Sequence, residues 1–279
     1  MSHPEPEARA KPRASSVCLF LILATVAIVA MQSAHGFFPG HMPIARVGRL
    51  LCLASGAILL VAGSRWLFAR DGISANRLGL ALNAAHGRRF LFGMGLGILH
   101  MAILMMVFYV TVPFEIGDGP RTSADVASAG IDYLASNLIE ELQARGYLLV
   151  VLAYWLGTTR AIWLMALPFG LFHLPGLDAV AMAKMMLTTG AMHFIYAYAF
   201  LATRSLWAAV SLHAVGNTLL HAVIGVDGPG AVALHYQHSF PEKVDLPFVV
   251  FLGVSILFAV WMSRWPATRR GAAWLRSDD

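Results

Sequence analysis

The chain has 279 residues, of which 58% are hydrophobic and only 13% charged, and its mean hydropathy is +0.67. Soluble domains sit near half apolar and a quarter charged, so this balance excludes an ordinary soluble domain and implies an integral membrane protein. The formal charge of +5 lies in connections between apolar runs, and no aromatic-interleaved basic patch points to nucleic acid.

The first 16 residues, MSHPEPEARAKPRASS, are polar and mixed in charge. The apolar run behind them resembles a signal peptide in part. SAHG is a poor cleavage site, however, and further runs follow, so it reads as an uncleaved first span. A spanning helix needs about 20 mostly apolar residues. Eight candidates follow in order: 17–34, 49–68, 90–114, 134–157, 161–178, 184–203, 205–225 and 246–264. The fifth is the shortest. Only residues 161–174 separate Arg160 from Pro175, which is about 21 Å of helix against a core of about 30 Å. With Pro168 inside, this is either a kinked helix continuing past Pro175 or a broken one buried among its neighbours. No segment shows strict period-2 alternation, which argues against a β-barrel. The expected fold is all-α: a polytopic helical membrane protein of about eight spans. The Gly- and Pro-rich stretch 226–245 reads as a solvated surface loop. Cys18 and Cys52 lie in apolar runs and suggest no disulfide framework.

Charges in the connections orient the chain. Arg9, Lys11 and Arg13 precede the first span. Arg65, Arg70, Arg77, Arg88 and Arg89 flank the second connection, Arg160 and Arg204 mark two later ones, and Arg264, Arg269, Arg270 and Arg276 follow the last span. With eight alternating spans all of these fall on one side, which places both termini in the cytoplasm and suggests the cell (inner) membrane. Glu115, Asp118, Asp125 and Asp132 fall outside; Arg46 and Arg49 are the exceptions. The chain divides into a cytoplasmic tail (1–16), one helical membrane domain (17–264) and a basic cytoplasmic tail (265–279).

Ionisable residues within spans are functional candidates by default. They form three clusters: Glu140, Glu141 and Arg145; His173; and His213 with Asn217, with His221 a turn beyond. Glu141 and Arg145 are four apart, on one face and in the favourable order for an ion pair. Glu140 is five from Arg145, about 140° around the helix, and so points elsewhere. A carboxylate near an imidazole suits general acid–base work. His213 and Asn217 also share a face, and both can donate hydrogen bonds towards one point, as a developing oxyanion requires. Counting about 1.5 Å per residue from the span edges puts Glu140, His173 and His213 in the middle part of the bilayer. His100 and His193 have no spaced partner and read as structural; Gly93, Gly95 and Gly97 read as helix-packing glycines.

Together, 140-EELQAR-145, 169-FGLFH-173 and 213-HAVGN-217 resemble the motifs of the CPBP superfamily, which includes type II CAAX prenyl endopeptidases and bacteriocin-processing or immunity proteins. The resemblance covers about residues 134–224. It implies an intramembrane endopeptidase acting on a membrane-associated or lipidated protein or peptide. Glu140 and His173 would activate the water, His213 and Asn217 would form the oxyanion hole, and Glu141, Arg145 and Phe169 would support them. Two mechanisms remain: a Glu/His hydrolase without a cofactor, which is preferred, and a zinc-dependent version. The compact HExxH arrangement of many zinc peptidases is absent. A non-catalytic immunity or binding protein and a proton-coupled transporter are the competing functions. The intact residue set argues against the first, and the lack of repeated halves argues against the second. The sequence leaves the substrate and the oligomeric state open.

Overall fold

The computed structural model describes residues 12–38, 43–111, 114–171, 178–226, 228–236 and 245–276. His173 lies outside the described residues. The architecture is the expected all-α membrane bundle. Among the described residues, six helices are long and apolar enough to cross a bilayer. They are α1 (Ala14–Phe37), α2 (Pro43–Asp71), α3 (Ala84–Thr111), α7 (Ala179–Thr203), the continuous α8 (Leu206–Asn217) with its π-helical turn (Thr218–Ile224), and α9 (Leu246–Ser263). Side chains such as Ile22, Val29, Ile58, Val110 and Leu257 point outward, as expected for a surface solvated by lipid. The interior instead holds Asp71, His100, Asn137, Glu141, Arg145, His193 and His213.

The expected fourth and fifth spans are built differently. They are three shorter pieces: α4 (Ser123–Arg145), α5 (Tyr147–Leu156) and α6 (Thr158–Leu171). α4 starts well before the apolar run. A capping box sets its start: Thr122 Oγ1 accepts from the Asp125 N–H, and the Asp125 carboxylate accepts from the Thr122 N–H. Its first half is too polar to register as a span. α4 ends where Gly146 takes φ −72° and ψ −125°. A Cβ there would sit 2.2 Å from the Leu142 carbonyl oxygen, so only glycine permits the break. The described part of α6 ends at Leu171, with Pro168 inside it, and a new helix begins after the Asp178 N-cap.

Two glycines decide where α8 sits. A Cβ on Gly93 would lie 2.2 Å from the Ala208 carbonyl oxygen, and one on Gly97 would lie 2.9 Å from that of Leu212. α3 and α8 therefore cross with backbones in close approach, the small-residue packing expected between helices in lipid. Gly95 faces open space and has no part in it.

The bundle has two unlike ends. At one, the residues just before α1, the 72–83 connection, the α5–α6 joint, Arg204 and a further helix α10 (Pro266–Trp274) are stitched together. Trp155 donates to the Pro12 carbonyl, Leu206 N–H to that of Gly79, and Thr158 Oγ1 to that of Ala272. Arg77 and Arg204 both lie over the Trp274 ring. The basic segment after the last span, expected as a tail, is thus partly helical and packed. The other end carries β1 (Phe114–Asp118), antiparallel to β2 (Val232–Tyr236), with Glu115 opposite His235. Part of the stretch expected as a surface loop is therefore paired backbone. The pairing needs residues 114–118, which sequence neighbours do not reveal.

Candidate active site

α4 brings its two glutamates to different surroundings. The Glu141 side chain is fully buried, whereas that of Glu140 is 19% exposed. Arg145 Nη1 donates to Glu141 Oε1 at 2.9 Å, the pair expected from the i, i+4 spacing. Arg145 Nη2 lies 2.7 Å from His193 Nδ1 and 2.9 Å from the His193 carbonyl oxygen. A guanidinium can only donate, so His193 Nδ1 accepts and its Nε2–H donates to the Ile162 carbonyl at 3.1 Å. The Phe169 ring lies 4.6 Å from Arg145 Cζ and that of Tyr196 lies 5.3 Å away, so both aromatic faces shield the cation. The fully buried guanidinium thus ties α4 to α7 and α6.

The same Glu141 oxygen accepts from His213 Nδ1 at 2.9 Å. With its Nδ1 proton turned to Glu141, His213 presents Nε2 to Glu140 Oε2, 3.8 Å away. The Tyr196 ring stacks on His213 at 4.2 Å and 21°, which holds the imidazole plane. One turn along α8, Asn217 Nδ2 donates to Asn137 Oδ1 at 3.3 Å. The backbone then widens into the π-helical turn, a distortion that recurs at functional sites.

Glu140, His213, Asn217 and Phe169 all line one cavity of about 640 Å³. Its polar lining includes Asn137, Glu140, Tyr196, His213 and Asn217. Most of the remaining wall is apolar, with Met101, Met185, Met192, Leu220, Phe248 and Phe251. Such a cavity suits an extended peptide or an apolar chain beside a small polar centre. His221 also reaches it, with its ring 5.9 Å from that of Tyr133. His100 reaches it as well and pairs with Ser255 at 3.2 Å.

Sequence spacing missed Asn137 and Tyr196; His193, read as structural, does hold Arg145 and the Ile162 carbonyl. Asn137 lies three residues before Glu140 and so on an adjacent position of one helix face. Tyr196 stands in the same relation to His193. That pattern was a usable signal, but it is common in any helix.

Among the described residues no three His, Cys, Asp or Glu side chains are grouped to hold a metal ion.

Fold and site together define an integral membrane protein with a buried polar centre opening into an apolar cavity. Residues 122–219 match the family model described as type II CAAX prenyl endopeptidase Rce1-like, which places this segment in the superfamily that the three motifs resemble. No curated protein matches the chain. The matched segment begins at the α4 cap, earlier than the apolar run indicates, and contains Glu140, Glu141, Arg145, Phe169, His213 and Asn217.

Proposed function

We propose that the chain is an intramembrane endopeptidase of the CPBP type that hydrolyses a peptide bond in a membrane-associated protein or peptide. The observation that supports this most is the meeting of Glu140, His213 and Asn217 on one cavity wall, from two helices inside the segment that the family model matches.

In this mechanism Glu140 accepts a proton from water, with His173 assigned to hold and polarise that water by the resemblance of its motif. The water oxygen bonds the scissile carbonyl carbon, and the carbonyl electron pair moves to oxygen. Asn217 Nδ2 and His213 Nε2 donate to that oxyanion. His213 can do so only as an imidazolium, because its Nδ1 proton is turned to Glu141; the Glu141 carboxylate balances the charge. Collapse breaks the C–N bond, and the proton held by Glu140 passes to the leaving amine. The products are a carboxylate and an amine. Arg145 positions Glu141, and Glu141 positions His213.

The test is cleavage of a peptide library, lipidated C-terminal peptides included, by the purified chain in detergent. His173→Ala and His213→Ala are expected to abolish turnover while the protein still elutes as a folded species. Unchanged turnover in both variants would overturn the assignment, and no turnover by the wild type on any class of peptide would favour a non-catalytic binding protein. Carboxylates and imidazoles supply all the chemistry in this scheme, so a chelator is expected to leave the rate unchanged. Loss of activity restored by zinc would point to the metal-dependent version.

A further inference from the structure

The stitched end of the bundle holds a second cavity, of about 500 Å³, which shares no lining residue with the one that contains Glu140. Three elements place arginines on its wall. Arg88 and Arg89 come from the first turns of α3, Arg204 directly follows α7, and Arg270 lies in α10. α3, α7 and α10 contain no aspartate or glutamate, and no described carboxylate lines the cavity. Asp71, the last residue of α2, is buried and accepts from Ser16 Oγ at 2.9 Å and from the Tyr147 hydroxyl.

The contacts that these arginines make leave their charge uncancelled. Arg89 Nη1 lies 3.2 Å from His86 Nε2. The guanidinium must donate, so His86 Nε2 accepts and its Nδ1–H turns to Ser205 Oγ at 2.8 Å. Arg204 Cζ lies 5.8 Å from the centre of the Trp274 ring. A neutral imidazole and an aromatic face orient a guanidinium without neutralising it. Four like charges around one small space repel each other, and an anion seated among them removes that cost.

The backbone is held in an unusual shape to build this arrangement. Arg204 has φ +52° and ψ +38°, and among the described residues it is the one non-glycine with positive φ. Glycine or asparagine is the usual choice at such a helix end, and other side chains adopt the conformation at a cost. Gly271 lets α10 lie on α7, since a Cβ there would clash with the Leu201 carbonyl oxygen. That close approach brings Arg270 and Arg204 to the same cavity.

The surroundings select the kind of anion. The cavity sits where α3 begins, α7 ends and α10 follows α9, which is the level of lipid headgroups for three spans. Phe92 also lines it and is 46% exposed; its ring lies 6.2 Å from that of Trp265, which in turn lies 4.7 Å from that of Trp261. An occupant therefore meets both guanidinium groups and an exposed aromatic surface. Guanidinium forks match phosphate oxygens, and basic pockets between spans suit phospholipid headgroups. We propose that this cavity binds the phosphate of an anionic membrane phospholipid, with the acyl chains lying along the Phe92–Trp261 surface.

The test uses the full chain in detergent micelles doped with phosphatidylglycerol or with phosphatidylcholine, and reads the thermal unfolding midpoint. Phosphatidylglycerol is expected to raise the midpoint above its value in phosphatidylcholine, by a shift that grows with lipid content. Arg88→Gln combined with Arg270→Gln should abolish that shift and leave the midpoint in phosphatidylcholine unchanged. Arg264→Gln combined with Arg269→Gln removes two arginines of the same end that do not line the cavity, and should keep the shift. Equal loss in both double variants would overturn the proposal in favour of diffuse charge. So would a lowered midpoint in phosphatidylcholine with the shift retained, which would make Arg88 and Arg270 structural. Arg204→Gly relieves the left-handed backbone, so its midpoint in phosphatidylcholine should not fall, while its phosphatidylglycerol shift should shrink; an undiminished shift would count against the site. Inorganic phosphate at matched ionic strength is the last arm. A rise as large as that from phosphatidylglycerol would overturn the lipid assignment and give the cavity to a soluble phosphate.

Discussion

Glu140 and Glu141 are neighbours in sequence, but they stand in two different regions of the molecule. Glu141 belongs to a closed network. Its Oε1 accepts from both Arg145 and His213, and Arg145 continues to His193 and the α6 backbone. Glu140 belongs to the wall of an open cavity, facing Nε2 of the same His213 at 3.8 Å. One imidazole joins the two regions. The difference shows how a membrane helix tolerates charge. The carboxylate sealed from solvent is matched by fixed donors at Oε1, and the one proposed to exchange a proton lines a cavity.

Breaking each region separately sharpens the contrast. Glu140→Gln removes a proton acceptor at the cavity wall and keeps the size and shape of the side chain. Turnover is expected to fall by about 10²–10⁴-fold, the usual worth of a general base. The thermal unfolding midpoint in detergent should stay near that of the wild type. A large fall in the midpoint would move Glu140 into the structural region.

Arg145→Ala is expected to act in the opposite way. Removing one partner of a buried pair strands the other and costs about 3–5 kcal/mol. Folded yield should collapse together with activity, and Arg145→Lys should rescue it poorly, because one ammonium cannot serve Glu141 and His193 in the same forked geometry. Normal yield of Arg145→Ala, measured by size-exclusion chromatography, would contradict the network.

Gly93→Leu tests the scaffold beneath both regions. The side chain would meet the α8 backbone and push His213 and Asn217 away from α4, at a cost of about 1–3 kcal/mol for overpacking. Gly95→Leu, one residue pair away and facing open space, serves as the matched control and should retain both folding and turnover.

The smallest effect is expected where α7 and α9 start. Lys184 and the Phe248 N–H hold the Asp245 carboxyl below its ordinary value. A lowered folded value gives stability that is present above the unfolded value of about 3.9 and is lost as pH falls through the folded value. The pair is partly exposed, so its worth is about 0.2–1 kcal/mol. Asp245→Asn should lower the unfolding midpoint slightly at neutral pH and make no difference well below pH 3.9. An equal deficit at both pH values would show that the charge is not what matters.

Composition and hydropathy by themselves determined that this is a helical membrane protein, and helical spacing separated the Glu141–Arg145 pair from Glu140. Both readings rest on local physics: transfer of side chains to lipid and the 100° step of a helix. The motifs for His213 and Asn217 were legible for the same reason. What the sequence did not disclose is non-local. The fourth span is divided between α4 and α5, because neither the capped polar half-helix before the apolar run nor the glycine break within it carries a hydropathy signal. Arg145 found His193 across 48 residues, and the 114–118 segment found its strand partner beyond residue 230. Above all, only tertiary structure decided that Glu140, His213 and Asn217 line one cavity. Spacing assigns a face to each side chain, but a cavity is a gap between helices, and gaps exist only once the helices are packed.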